Sequence, residues 1–183
     1  MTEKPEDRRV RRTRQLLIDA LLALIVERGY EVLTVQDILD RANIGRSTFY
    51  AHFRDKDDLL QAAFARLRHI FDSHTGTPGT ASLAEISLAL FRHTAEQRPL
   101  YRAMVGKPSG AALMRAAHGL LSAHVRAHLE HFAETLPVPD EVAVQYYVSA
   151  LIGLLTWWID TDRPYTPAEM DMMFRHLVLP TLR

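Results

Sequence analysis

Apolar positions recur along this chain with the period of a helix. Leu17, Leu21, Leu24 and Ile25 fall on one stripe of a 3.6-residue repeat and predict an amphipathic helix over 8–28, which Gly29 ends. Thr34 is a good N-cap for a second helix whose apolar side is Val35, Ile38, Leu39 and Ala42, and Asp37 can answer it in a capping box. Asn43, Ile44 and Gly45 form a tight connection, because Asn tolerates the left-handed backbone that ends helices and Gly serves as an N-cap. A third helix is expected from Arg46 to about Phe53. The acids of Asp55-Lys56-Asp57-Asp58 suit the start of a fourth, which runs on through Leu59, Leu60, Ala63, Phe64, Leu67 and Phe71.

The stretch 73–80, with Gly76, Pro78 and Gly79, is the clearest loop. Helices are expected beyond it near 81–97, 99–105, 109–135, 139–161 and 167–181, separated by proline-bearing junctions such as Lys107-Pro108 and Leu136-Pro137-Val138-Pro139. No stretch alternates with period two, so no strand is predicted. The expected fold is all-α, with about nine helices.

Residues 34–53 read as helix, short turn, helix. Such a turn holds two helices at a steep angle, and the second then projects as a ridge that fits the major groove of DNA. Packing by Val35, Ile38, Leu39, Ile44, Phe49 and Phe53 would fix that angle. Arg46, Ser47, Thr48, Tyr50 and His52 are left to face outward.

The ordered run Gly29-Tyr30, Thr34-Val35-Gln36-Asp37-Ile38, Ala42-Asn43-Ile44-Gly45-Arg46-Ser47-Thr48-Phe49-Tyr50-Ala51-His52-Phe53, Asp55-Lys56-Asp57-Asp58-Leu59-Leu60 resembles the DNA-binding domain of the TetR family over about residues 10–62. It departs from the family pattern at Asn43, where Gly is usual, and at Gly45, where Ser is usual. The resemblance implies a TetR-like fold: a helix-turn-helix domain at 1–55 and a ligand-binding, dimerising domain at 56–183. It also implies roles. Thr34 and the helix end behind it would meet a phosphate. Arg46, Ser47 and Thr48 would sit nearest base edges, with Arg46 suited to bidentate reading of guanine. Tyr50 and His52 would bond phosphates, Lys56 would pin the backbone of the same half-site, and Arg12, within the Arg8–Arg14 cluster, would reach a neighbouring phosphate or the minor groove.

Dimers of such heads read two half-sites of a palindromic operator. In TetR-like proteins the last two helices supply the dimer, and here their stripes include Leu151, Leu155, Trp158, Met170, Met173, Phe174 and Leu177. The resemblance also implies a small-molecule effector held among middle helices rich in apolar and aromatic groups: Phe64, Leu67, Phe71, Phe91, Tyr101, Met104, Leu113, Met114, Leu121, Tyr146 and Trp157. Residue by residue, ordinary core is the preferred reading of the same positions. The function expected is therefore a DNA-binding regulator, a repressor released from its operator by a ligand. The alternative is a module on the same fold that acts through a protein partner.

Composition narrows the remainder. Basic and acidic residues balance at 22 each, so any pull on DNA must come from local clusters. There is no cysteine, which excludes disulfides, Cys-based zinc sites and thiol catalysis. The start is charged and unlike a signal peptide, and purely apolar runs fall well short of a membrane span, so a cytoplasmic protein without a membrane partner is expected. His124, His128 and His131 share a helix face at a spacing a metal can use. Nearby Arg126 and Glu130 point instead to a solvated face, and no metal or cofactor is assigned. No Walker loop, nucleophile elbow or His-Glu-x-x-His motif is present, and no enzymatic activity is expected.

Overall fold

A computed structural model describes residues 5–76, 80–132, 137–161 and 163–178, apart from the side chains of residues 5–7, 67, 70, 71, 74, 75 and 132. The described residues form nine α-helices and no strand. These are α1 (Pro5–Arg28), α2 (Val35–Ala42), α3 (Arg46–Tyr50), α4 (Lys56–Thr75), α5 (Leu83–Glu96), α6 (Arg98–Met104), α7 (Pro108–Phe132), α8 (Asp140–Thr161) and α9 (Pro167–Val178). The chain divides into two compact units, Met1–Arg66 and Leu67–Arg183.

In the first unit α1 packs against α2, with Leu17, Leu21, Leu24 and Ile25 of α1 and Ile38 and Leu39 of α2 buried, and Phe49 of α3 and Leu59 of α4 are buried in the same unit. The turns follow the residue types. Gly29 takes φ 80° and its N–H closes on Ile25 O at 2.9 Å, ending α1. Asn43 takes φ 53° and ψ 48°, the left-handed conformation that its short polar side chain tolerates, and ends α2.

Three helices open with the same device. Thr34 and Asp37 satisfy each other's backbone N–H groups at the start of α2, as do Ser82 and Glu85 at α5 and Thr166 and Glu169 at α9. Hydrogen bonds from the Thr34 hydroxyl and N–H, helped by Arg28, hold the Asp37 carboxyl well below the usual carboxylate range. The Ser82 hydroxyl and N–H lower Glu85, and the Thr166 N–H and hydroxyl lower Glu169. Carboxyls depressed in the folded state contribute stability that is complete above the unfolded carboxylate value, about 4, and is lost as pH falls through the folded values. Urea melts from neutral to acid pH should therefore show a shallower acid loss in a Thr34→Ala, Ser82→Ala, Thr166→Ala variant. An acid limb identical to the wild type would mean these bonds do not operate in solution.

The second unit pairs α5 with α9 and α7 with α8. Its centre is an aromatic cluster. Phe91 of α5 lies edge-on to Trp158 of α8 (centroids 5.8 Å apart) and to Phe174 of α9 (6.3 Å), and Phe174 meets Tyr147 of α8 at 5.1 Å. A polar seam fastens α9 beside it. The buried Asp171 accepts from the Ser87 hydroxyl at 2.5 Å and pairs with Arg175 at 2.9 Å. The Tyr147 hydroxyl donates to Leu83 O at 2.6 Å. Helix α8 is long and apolar enough to cross a membrane by length and composition alone, yet it carries much of this interior.

Candidate nucleic-acid interface

Helix α3 has only five residues, Arg-Ser-Thr-Phe-Tyr. It is held in place through Phe49, which is 0% exposed, its ring 5.9 Å from that of Phe53 and 5.3 Å from that of Tyr50. Gly45 is the N-cap and contributes no side-chain bond, but its carbonyl accepts from Phe49 N at 3.1 Å. With Phe49 turned inward, Arg46, Ser47, Thr48 and Tyr50 are all exposed, Tyr50 by 53%. His52 follows the helix and is half-buried. The structure thus brings together on one short ridge the side chains that the sequence set aside for base edges and phosphates.

Two other candidates have partners within their own unit. The Thr34 hydroxyl is committed to Asp37, and the Asp37 carboxylate sits at the very helix end expected to greet a phosphate. Lys56 turns its ammonium back into its own unit, donating to Leu33 O at 2.9 Å and Tyr30 O at 3.3 Å, 4.5 Å above the Tyr30 ring. The next residue, Asp57, accepts a short hydrogen bond from the Tyr30 hydroxyl. Burial and that bond to an acid raise the Tyr30 phenol well above its ordinary value, so it stays a donor. Lys56 and Asp57 therefore clamp the 29–34 loop from α4. Arg12 is exposed on α1, whereas Arg14 reaches His52 O at 3.2 Å and lies 4.4 Å over the Phe53 ring, bracing the far end of α3. The contacts of Arg14, Tyr30 and Asp57 were missed in the sequence because each acts across the tertiary fold.

A further pair was missed beside Arg46. Arg46 Nη2 donates to Gln36 Oε1 at 3.3 Å, and Gln36 Nε2 donates to Asp40 Oδ1 at 2.8 Å. The Gln36–Asp40 half, an i, i+4 pairing on α2, is visible in sequence spacing. The reach from α3 to α2 is not.

In the second unit the structure rearranges two expected sets. Trp158 (2% exposed), Leu151, Leu155, Met170 and Phe174, read as a dimer face, lie in the unit's own interior. Met173 is half-buried, and Leu177 stands 68% exposed. Trp157 (42% exposed) and Tyr146, read as pocket lining, point outward with Val142. The correction has a simple cause: the outward side of α8 mixes Val142, Tyr146 and Trp157 with Gln145 and Ser149, so apolar character alone does not mark its buried face, and neighbouring Trp157 and Trp158 exchange places. Phe91, Tyr101, Met104, Leu113 and Leu121 are buried in the second unit and Met114 is half-buried, while Phe64 is buried in the first. The side chains of Leu67 and Phe71 lie outside the described residues.

The histidine row is not a solvated face. His124 is 0% exposed, its Nδ1 3.1 Å from Leu120 O and its Nε2 3.6 Å from Asp72. His128 is buried with Nδ1 3.2 Å from Ala81 O, and only His131 is exposed. Among the described residues no three His, Cys, Asp or Glu side chains are placed to hold a metal.

Comparison with known proteins agrees with this geometry. Residues 17–63 match the model of bacterial regulatory proteins of the tetR family, and residues 82–179 match a transcriptional regulator C-terminal region. An uncharacterised HTH-type transcriptional regulator of Bacillus subtilis, YxbF, is 33% identical over 182 residues, covering 94% of this chain. The chain spans only 46% of that relative's length. The HTH-type transcriptional repressor KstR of Rhodococcus jostii is 28% identical over 159 residues, covering 79% of this chain and 72% of its own. Among solved structures, FadR of Bacillus subtilis in complex with stearoyl-CoA superposes with a TM-score of 0.72 at 16% identity, over 92% of this chain and 99% of that one, a likeness of fold. With its helix-turn-helix framed as above and both of its units matched, the chain belongs to the tetR family of bacterial regulatory proteins.

Proposed function

We propose that this protein is a sequence-specific DNA-binding transcription regulator, a repressor that holds a palindromic operator as a dimer and releases it when a small molecule binds the second unit. The observation that carries the reading is α3, where one buried phenylalanine anchors a helix whose other four side chains face outward. A guanidinium, two hydroxyls and a phenol on one ridge suit base edges and phosphates, and phosphate contacts position such a ridge while base contacts specify. The repressor direction is supported by the relative named as a repressor.

The dimer reading moves to the outward side of the last two helices. Val142, Tyr146 and Trp157 of α8 are exposed, as are Met172 and Leu177 of α9. A second copy would cover this apolar surface, and a two-fold pair of heads matches a two-fold site. The effector reading rests on an interior in which Tyr101, His93, Thr94 and His124 are buried among aliphatic and aromatic groups. An interior of that mix suits a mainly apolar ligand with a few polar atoms. It draws support from the structural neighbour solved with an acyl-CoA.

The test is selection of bound sequences from a randomised duplex pool across a salt series. The expected result is a palindrome whose affinity falls steeply with salt. Enrichment of nothing at any salt would overturn the reading. Arg46→Ala should relax preference at particular base pairs by about 1–3 kcal/mol each, the worth of a bidentate contact. Tyr50→Phe should weaken binding evenly across sequences. An unchanged preference in Arg46→Ala would remove this arginine as a base reader.

A further inference from the structure

We propose that Gln36 and Asp40 of α2 form a relay that aims the Arg46 guanidinium, making Gln36 a positioning residue for sequence preference. The inference rests on the reading of α3 as the DNA-contacting helix. Its starting point is a directional chain of hydrogen bonds on the exposed side of the first unit. Asp40 Oδ1 accepts from Gln36 Nε2 at 2.8 Å, and Gln36 Oε1 accepts from Arg46 Nη2 at 3.3 Å.

Each link constrains the next. A side-chain amide has an accepting end and a donating end, and nothing in its shape favours one orientation. A carboxylate only accepts, so Asp40 draws the NH2 end of Gln36 toward itself. That leaves the carbonyl oxygen as the end offered to Arg46, which only donates. Without Asp40 the amide can turn over and present N–H groups to a guanidinium that has no lone pair to receive them. Asp40 thereby sets the polarity of the whole chain.

The consequence for Arg46 is geometric. A guanidinium reads guanine through two parallel N–H groups, using either the paired terminal nitrogens or one terminal nitrogen with Nε. Donation from Nη2 to Gln36 engages one of these hydrogens and leaves a single bidentate edge free. Arg46 also stands at the first position of a five-residue helix whose glycine cap supplies no side-chain bond. Its long side chain would otherwise lose more rotamer freedom on meeting DNA. Gln36, anchored on the longer α2, restrains it beforehand. An acid such as Asp40 near a phosphate backbone is unfavourable in itself, and the relay gives it a use.

Two measurements test this. The first is sequence selection with the full-length protein carrying Gln36→Ala, Asp40→Ala, Asp40→Asn, Arg46→Ala and the Gln36→Ala/Arg46→Ala pair. Gln36→Ala should lose preference by about twofold to 150-fold, the range for coupled neighbours, at the base pairs that Arg46→Ala flattens. The pair should be no flatter than Arg46→Ala alone. Asp40→Ala should follow in the same direction, and Asp40→Asn, whose amide can donate as well as accept and so no longer fixes the sense of Gln36, should fall between Asp40→Ala and the wild type. A loss at other base pairs, or full additivity with Arg46→Ala, would mean Gln36 acts independently and would overturn the relay.

The second is NMR of the DNA-free protein labelled with 15N-arginine. Rotation about the Arg46 Cζ–Nε bond should be slower in the wild type than in Gln36→Ala. Equal rates would sink the relay whatever the DNA result. If the wild type selects no sequence, the regulator reading fails while this second measurement still decides the relay.

Discussion

Trp158→Ala is expected to destabilise the second unit by about 3–5 kcal/mol, the usual cost of removing a large buried aromatic side chain. The indole is 2% exposed and lies edge-on to Phe91 at 5.8 Å. Its Nε1–H donates to Tyr165 O at 3.2 Å, and Arg98 both covers the ring at 5.4 Å and donates to the Trp158 carbonyl at 3.1 Å. Truncation removes the packing and the tie to the 163–166 segment together. Trp157→Ala should do the opposite. Its side chain is 42% exposed, so the stability of a single chain should move by no more than about 0.5 kcal/mol while self-association weakens. Urea melts at two protein concentrations and sedimentation velocity separate the effects. If Trp157→Ala unfolds the isolated chain and Trp158→Ala spares it, the inward and outward faces of α8 have been exchanged.

Lys56→Met is expected to lower the stability of the first unit by about 2 kcal/mol, below the sum usual for two charge-assisted hydrogen bonds because the site is partly open to water. The variant keeps the aliphatic stem and removes the ammonium from the carbonyls of Tyr30 and Leu33. DNA binding should weaken for all sequences, since the loosened loop leads into the Thr34 cap of α2. The dependence of affinity on salt should stay nearly the same. A lysine that neutralised a phosphate would instead reduce the salt slope by about one. A reduced slope with unchanged stability would return Lys56 to the phosphate backbone.

These two residues mark where sequence legibility ended. Helix positions, the Thr34–Asp37 box and the left-handed Asn43 were legible because each is written in local residue types and short spacings. The exposed ridge of α3 was legible because Phe49 and Phe53 are the apolar members of an otherwise polar run. The two faces of α8 were harder, because Val142, Tyr146 and Trp157 place apolar groups on its outward side beside Gln145 and Ser149. Lys56 and Arg14 were hard for another reason. A basic residue near a DNA-reading helix suggests phosphate, and only the folded chain reveals a carbonyl closer at hand. His124 and His128 show the converse: charged neighbours in sequence, Arg126 and Glu130, point away from the helix face that the histidines bury.

The brevity of α3 has an evolutionary consequence. Of its five side chains only Phe49 is answerable to the interior. Arg46, Ser47 and Thr48, all exposed, can be exchanged by single codon changes with little penalty to folding, so new binding preferences are open to drift and duplication. A five-residue helix has no stability of its own, since isolated helices need about 12–15 residues. The ridge is therefore heritable only with its scaffold, and a peptide copied from it would retain the letters of the recognition code without the shape that makes them readable.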